Sequence, residues 1–297
     1  SIVTMNGIKI KFCCLIAGLL FFANALNAAA QEISADFKGN EPEGAISALL
    51  AVARNQGGTV AQRAGAVADA LSGADFKATA DKDPAAGPMS VNLNAMDGIE
   101  LIEYCAAAAK ASLVPGAQMR DFLKELQGLR YRRGENTGFT SRLRYVCDWI
   151  ADNAYRNNVR EMTYDLPGNV FTSRTLDHIT RNRENYPALA DSATFERMQL
   201  LEMGYRVHKI PYMKRESIGK KGVIELLKDN DILIIIDKSK DNDFLDAGFI
   251  RLVEGRPYLL HASESSGKVG MDPEPLSDMM KLRAKEIAGY RVLRLKD

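Results

Sequence analysis

Residues Asp231 to Asp237 enclose the run Ile-Leu-Ile-Ile-Ile between two aspartates, and this segment constrains the fold more than any other. A short unbroken apolar run rich in isoleucine is a buried strand. Ala247 to Val253 and Pro257 to Ala262 follow as a predicted hairpin around Glu254-Gly255, and Tyr290 to Leu295 closes as an alternating strand. Before residue 231 the pattern is different. Helical spacing covers Glu43 to Arg54, with Ile46, Leu49 and Leu50, and the Ala-rich stretch Val60 to Leu71. Gly98 to Leu113 reads as a helix capped by Asp97 and ended by Pro115-Gly116. Further helices are expected over Ala117 to Gln127, Arg144 to Asn153, Phe195 to Met203 and Gly222 to Leu227. Met89 to Leu93 is expected to be extended, after a Gly/Pro/Asp loop over Ala80 to Pro88. Helices first and strands last predict an α+β fold, helical over about 41–230 and sheet over about 231–297.

The chain has 297 residues, 46% hydrophobic and 26% charged, enough to bury a core. Its start reads as a secretory signal over residues 1–30. Met5 is a plausible start, Lys9 and Lys11 form a basic region, and Phe12 to Ala23 is apolar. Ala28-Ala29-Ala30 then offers a cleavage site before Gln31. Removing this segment would leave 31–297 as a single domain with no membrane-integral segment, secreted or periplasmic. It would also take the net charge from +1 to −1. Neither value makes an electrostatic case for nucleic acid. Cys13 and Cys14 would leave with the signal. Cys105 and Cys147 could pair in an oxidising compartment, but both lie in apolar helical patterns that favour buried free thiols. No spacing resembles a zinc site, and no cofactor is expected.

Three blocks carry chemical interest. The first is Val91-Asn92-Leu93 with Asp97 to Glu103. The second is Tyr131-Arg132-Arg133-Gly134, then Thr140-Ser141-Arg142-Leu143 and Asp148 to Asn153. The third is Leu260-His261-Ala262-Ser263, then Ser266 to Val269 and Asp272-Pro273. Together they resemble the N-acetylmuramoyl-L-alanine amidase-like family, related to the NlpC-type peptidoglycan hydrolases. The resemblance implies a papain-like fold, helices packed on an antiparallel sheet or half-barrel, and peptidoglycan stem-peptide chemistry.

In that family a Cys at a helix N-terminus is held as thiolate, a His takes its proton, and a third polar residue orients the ring. Aligned by these motifs, the thiol position is Gly98, the base position is Asp246, and the third position is His261. Losing a hydrolytic nucleophile costs on the order of 10⁶ in rate. The resemblance therefore implies a degenerate amidase homologue that binds muropeptides or a wall-associated partner. Alternatives are an active amidase or endopeptidase with an unrecognised nucleophile, and a purely structural domain. Candidate ligand contacts are Asp97, Tyr131, Arg132, Ser141, Arg142 and His261, since Arg forks bind stem-peptide carboxylates. Each has a plainer role: Asp97 as a cap, the arginines in structural ion pairs, His261 in packing. A divalent ion at Asp97, Asp246 and His261 is the less favoured alternative. His178 and His208 show no partner spacing. The alignment also implies that Gly98→Cys with Asp246→His would return thiol reactivity.

Overall fold

The computed structural model describes residues 33–39, 41–78, 87–206, 208–239 and 243–297. The expected signal segment 1–30, with Cys13 and Cys14, lies outside them, as does most of the loop expected over Ala80 to Pro88. Ala35–Asp297 form a compact unit.

Its helices are α1 (Pro42–Gln56), α2 (Val60–Ala70), α3 (Gly98–Ala111), α4 (Met119–Arg130), α5 (Val146–Tyr155), α6 (His178–Arg181), α7 (Ser192–Tyr205), α8 (Lys221–Ile224) and α9 (Leu276–Leu282). Its strands are β1 (Ala35–Phe37), β2 (Asp75–Phe76), β3 (Met89–Val91), β4 (Ala95–Met96), β5 (Val159–Glu161), β6 (Val170–Ser173), β7 (Lys209–Lys214), β8 (Ile232–Asp237), β9 (Asp246–Val253), β10 (Arg256–Ser263), β11 (Lys268–Met271) and β12 (Ile287–Leu295). A sheet in the order β4-β2-β11-β10-β9-β8-β12-β7-β6 forms the centre, with β5 paired to β12. Its pairs are antiparallel except β2 with β4. A separate parallel pair joins β1 to β3. The architecture is mixed α+β.

The Ile-Leu-Ile-Ile-Ile run is β8, and every residue of it is buried between β9 and β12. Leu233 and Ile235 enter a core shared with Ile250, Leu259, Tyr290 and Val292 of the sheet and Leu276, Met279 and Met280 of α9. Elsewhere α3 packs on β9, β10 and the neighbouring helices α1, α2 and α4. It is buried around almost its whole circumference, and Ala106 to Ala109 present only methyl groups to close neighbours. That burial fixes where its N-terminus points.

The division near residue 230 is less sharp than the composition implies, because β5, β6 and β7 lie before it and join the sheet. β7 carries Pro211, which argues against a strand because proline donates no ladder bond. It is tolerated here because β7 pairs with β12 only through Met213 and Lys214. The helix expected over Gly222 to Leu227 is the shorter α8. Asp231 Oδ2 accepts the Lys228 N–H at 2.8 Å and turns the chain into β8. The helix expected over Phe195 to Met203 is longer, because Asp191 caps it by accepting the Thr194 N–H at 2.8 Å. Strands β2, β4 and β11 and helix α9 are too short for periodicity to announce.

Candidate functional site

The start of α3 is a capping box. Asp97 Oδ1 accepts the Glu100 N–H at 2.8 Å, and Glu100 Oε2 accepts the Asp97 N–H at 3.3 Å. Between them, Gly98 meets strand β9 without a side chain to intervene. A Cβ built there would lie 2.3 Å from the Ala247 carbonyl oxygen and 3.0 Å from its carbon. Helix and strand backbones are therefore in direct contact at Gly98. A cysteine fits there only if β9 moves, a condition on the expectation that Gly98→Cys with Asp246→His would return thiol reactivity.

Next along β9, Asp246 Oδ2 accepts a hydrogen bond from His261 Nδ1 at 2.8 Å. Antiparallel register with His261 opposite Gly248 makes this pairing possible. Arg283 reaches the same carboxylate oxygen at 3.5 Å, and Asp272 Oδ2 stands 3.7 Å from His261 Nε2. His261 is buried, and its Nε2 has no hydrogen-bond partner. An imidazole oriented by a carboxylate at Nδ1 is half of an acyl-transfer triad. Here, however, Nε2 faces Asp272 rather than a nucleophile.

Beside the capping box lies a cavity of about 150 Å³, lined by Asp97, Ile99, Glu100, Arg142, Leu143, Arg144, Val146, Trp149 and Phe244. Glu100 is pushed up to about 7, first by burial and then by the Asp97 carboxylate, against the pull of Arg130. One turn on, Glu103 behaves oppositely. Its burial alone would raise it, but Arg142 and Arg130 hold it below the ordinary value. Arg130 Nε donates to it at 2.7 Å, Arg142 Nη1 at 3.2 Å and Trp149 Nε1 at 3.1 Å.

The other expected contacts are placed as follows. Tyr131 is buried, with the Arg142 guanidinium 6.0 Å from its ring centroid. Arg132 grips both oxygens of Asp148, one at 2.9 Å. Ser141 closes a turn, accepting from the Thr137 N–H at 3.0 Å and donating to the Gly138 carbonyl at 2.6 Å. Of the six candidate contacts, Asp97 and Arg142 line the cavity, and His261 sits with Asp246 instead. Among the described residues no three His, Cys, Asp or Glu side chains are grouped to hold a metal, so Asp97, Asp246 and His261 do not form an ion site.

Cys105 and Cys147 are free and buried. Burial pushes both thiols up, and Asp243 and Asp148 push Cys147 further. Sequence reasoning gave no site role to Glu100, Arg144, Asp243 or Asp272, although Glu100 and Asp272 lie in the blocks singled out. Glu100 had a signal, an acid three residues after a cap; Asp243 had none. It reaches across the fold to accept the Cys147 N–H at 3.0 Å, at the start of α5.

Residues 67–287 match the model of the AmiA-like family, described as N-acetylmuramoyl-L-alanine amidase-like. Among solved structures, an N-acetylmuramoyl-L-alanine amidase from Bacteroides uniformis ATCC 8492 is similar, at 24% identity and a TM-score of 0.68. It covers 77% of this chain, and 97% of that one is matched. A Bacteroides fragilis protein provisionally assigned as a xylanase is 27% identical at a TM-score of 0.69, over 77% of this chain and 98% of that one. A protein of Legionella pneumophila str. Philadelphia 1 is 14% identical at a TM-score of 0.63, over 86% of this chain and 95% of that one. Comparison with functionally curated proteins gives no match. Similar folds under different activity names carry the fold and not the reaction.

Proposed function

The chain belongs to the AmiA-like N-acetylmuramoyl-L-alanine amidase-like family, and we propose that it is a catalytically degenerate member that binds peptidoglycan fragments. The observation that carries this reading is the contact at Gly98. Where the aligned family places a sulfur, a Cβ would meet the Ala247 carbonyl at 2.3 Å. The missing nucleophile is thus accompanied by a closed wall rather than an open slot.

Asp246 and His261 support the same reading. The hydrogen-bonded pair is kept, but the imidazole stands at the third position and the carboxylate at the base position. A carboxylate there cannot take a thiol's proton as imidazole does. The two buried thiols are pushed toward the neutral form and offer no substitute. The scaffold is read as papain-like, with α3 in the place of the nucleophile helix and β9–β10 in the place of the base strands.

The cavity at Asp97, Glu100, Arg142 and Trp149 is the proposed ligand pocket. It combines an apolar wall with a few convergent charges, as small-molecule sites do. Its arginines suit stem-peptide carboxylates. The protein acts outside the cytoplasm, after loss of residues 1–30. Among the described residues no helix is long and apolar enough to cross a membrane.

Muropeptide digestion followed by chromatography tests the first half: no N-acetylmuramoyl–L-Ala or stem-peptide bond is cleaved. Calorimetric titration with the same muropeptides tests the second, with saturable heat expected in the parent and loss of it in Arg144→Ala. Cleavage would establish the active alternative. Absence of heat would leave the scaffold as a structural domain, a reading that the internal partners of Arg132 and Tyr131 favour.

A further inference from the structure

The cavity lies where two helices begin. Asp97 and Glu100 belong to the first turn of α3; Val146 and Trp149 belong to α5. Each start carries a carboxyl drawn into the protein, Glu100 half-buried and Asp243 buried. Glu100 closes the box on Asp97. Asp243, adjoining the cavity residue Phe244, accepts the Cys147 N–H.

Glu100 faces Asp97 and Glu103 from its own helix, Arg130 from α4, and Arg142 and Arg144 across the cavity. Of these cations, Arg130 and Arg142 are already committed to Glu103. Glu100 and Asp97 are like charges in the first turn of one helix, and the Asp97 carboxylate pushes Glu100 up. Asp243 faces Cys147, Tyr145, Arg291 and Arg174, and its carboxyl is wholly enclosed by protein.

We infer that this cavity is proton-responsive: a proton taken up by Glu100, and a second by Asp243, alters the charge of its wall and the seating of the two helix starts around Trp149. Losing the Glu100 charge leaves Asp97 facing Arg142 and Arg144, so the wall turns toward anionic ligand groups. Losing the Asp243 charge weakens the hydrogen bond that ties the segment before β9 to the start of α5. The positions of the two carboxyls support the order of events. Burial and Asp97 bring Glu100 up to about 7, and burial brings Asp243 up to about 6. Glu103 keeps its charge throughout, so the Trp149 N–H partner is constant.

The chain has one tryptophan, and it lines this cavity, so its emission reports the event without any ligand. The inference extends the proposed ligand role of the pocket, but because the probe is Trp149 alone, the two fail separately. The expected result is a reversible shift of the emission maximum between roughly pH 5 and 8, spanning the two carboxyls. Glu100→Gln, which keeps the capping box, removes the upper part, and Asp243→Asn, which keeps the acceptor, removes the lower part. Asp97→Asn still caps and lowers the upper midpoint by about one unit, because the like charge is gone. Far-UV circular dichroism confirms that each variant is folded. Emission that is flat with pH in the parent overturns the inference. So does an upper step unchanged in both Glu100→Gln and Asp97→Asn.

Discussion

Glu100 and Glu103 stand one turn apart on the same buried helix and meet opposite fates. Glu103 is enclosed by two guanidinium groups and the indole N–H, and it stays charged at full burial. Glu100 feels the Asp97 carboxylate more than any other charge, and it is pushed up to about 7. Burial is the largest effect on both. What differs is the supply of donors, so a buried carboxyl is decided by its partners and not by its depth.

The hardest test of that contrast removes the paired member. Glu103→Gln leaves the buried Arg130 without its counter-charge and takes one partner from the half-buried Arg142, and it is expected to cost about 3–5 kcal/mol of stability, read from the denaturant midpoint. A loss below about 1 kcal/mol would show that the pairing matters little.

Glu100→Gln should do the reverse. The folded value of about 7 lies above the ordinary 4.5. Between these pH values the folded protein holds a proton that the unfolded chain has released, so stability falls as the pH rises through the window. The effect has a ceiling of about 3 kcal/mol above pH 7. The variant should therefore be more stable than the parent above pH 7, and nearly equal to it below about pH 4.5. Asp243, raised from 3.8 to about 6, adds a slope of the same sign at lower pH. Parallel melting profiles for parent and Glu100→Gln across this range would count against the assignment.

Two residues before Glu100, the helix start offers a steric test of the same turn. Gly98→Ala should cost about 1–3 kcal/mol, because the new methyl meets backbone rather than a flexible side chain. Gly98→Cys should be destabilised as much and should react slowly with a thiol reagent in the folded protein. A stable variant with a fast-reacting thiol would mean that β9 yields easily and that the cleft is open.

Much of the scaffold was legible in the sequence because it rests on local rules. The unbroken isoleucine run required a buried strand. Glu254-Gly255 between apolar runs required a hairpin, and Asp97 before an apolar period required a helix start. The short strands and α9 were not legible, since few residues give no period, and Pro211 hid β7. At the site, sequence placed Asp97 at its helix start and His261 on its strand, and left Asp246 one residue outside the strand that it opens. It read Arg132, Ser141 and Tyr131 as ligand contacts; Arg132 and Ser141 turn their polar groups to neighbours within the fold, and Tyr131 is buried with its ring near Arg142.

By itself, then, the sequence determined the longer helices, the buried strand and hairpin of the C-terminal part, and which chemical groups are available. Only the tertiary structure decided which of those groups meet. It closed Gly98 against Ala247, joined Asp246 to His261 across two strands, gave Glu103 its arginines, and left Glu100 with Asp97. The physical reason is range. Propensity and capping act over a few residues along the chain, whereas steric exclusion and charge pairing act through space between segments far apart in sequence.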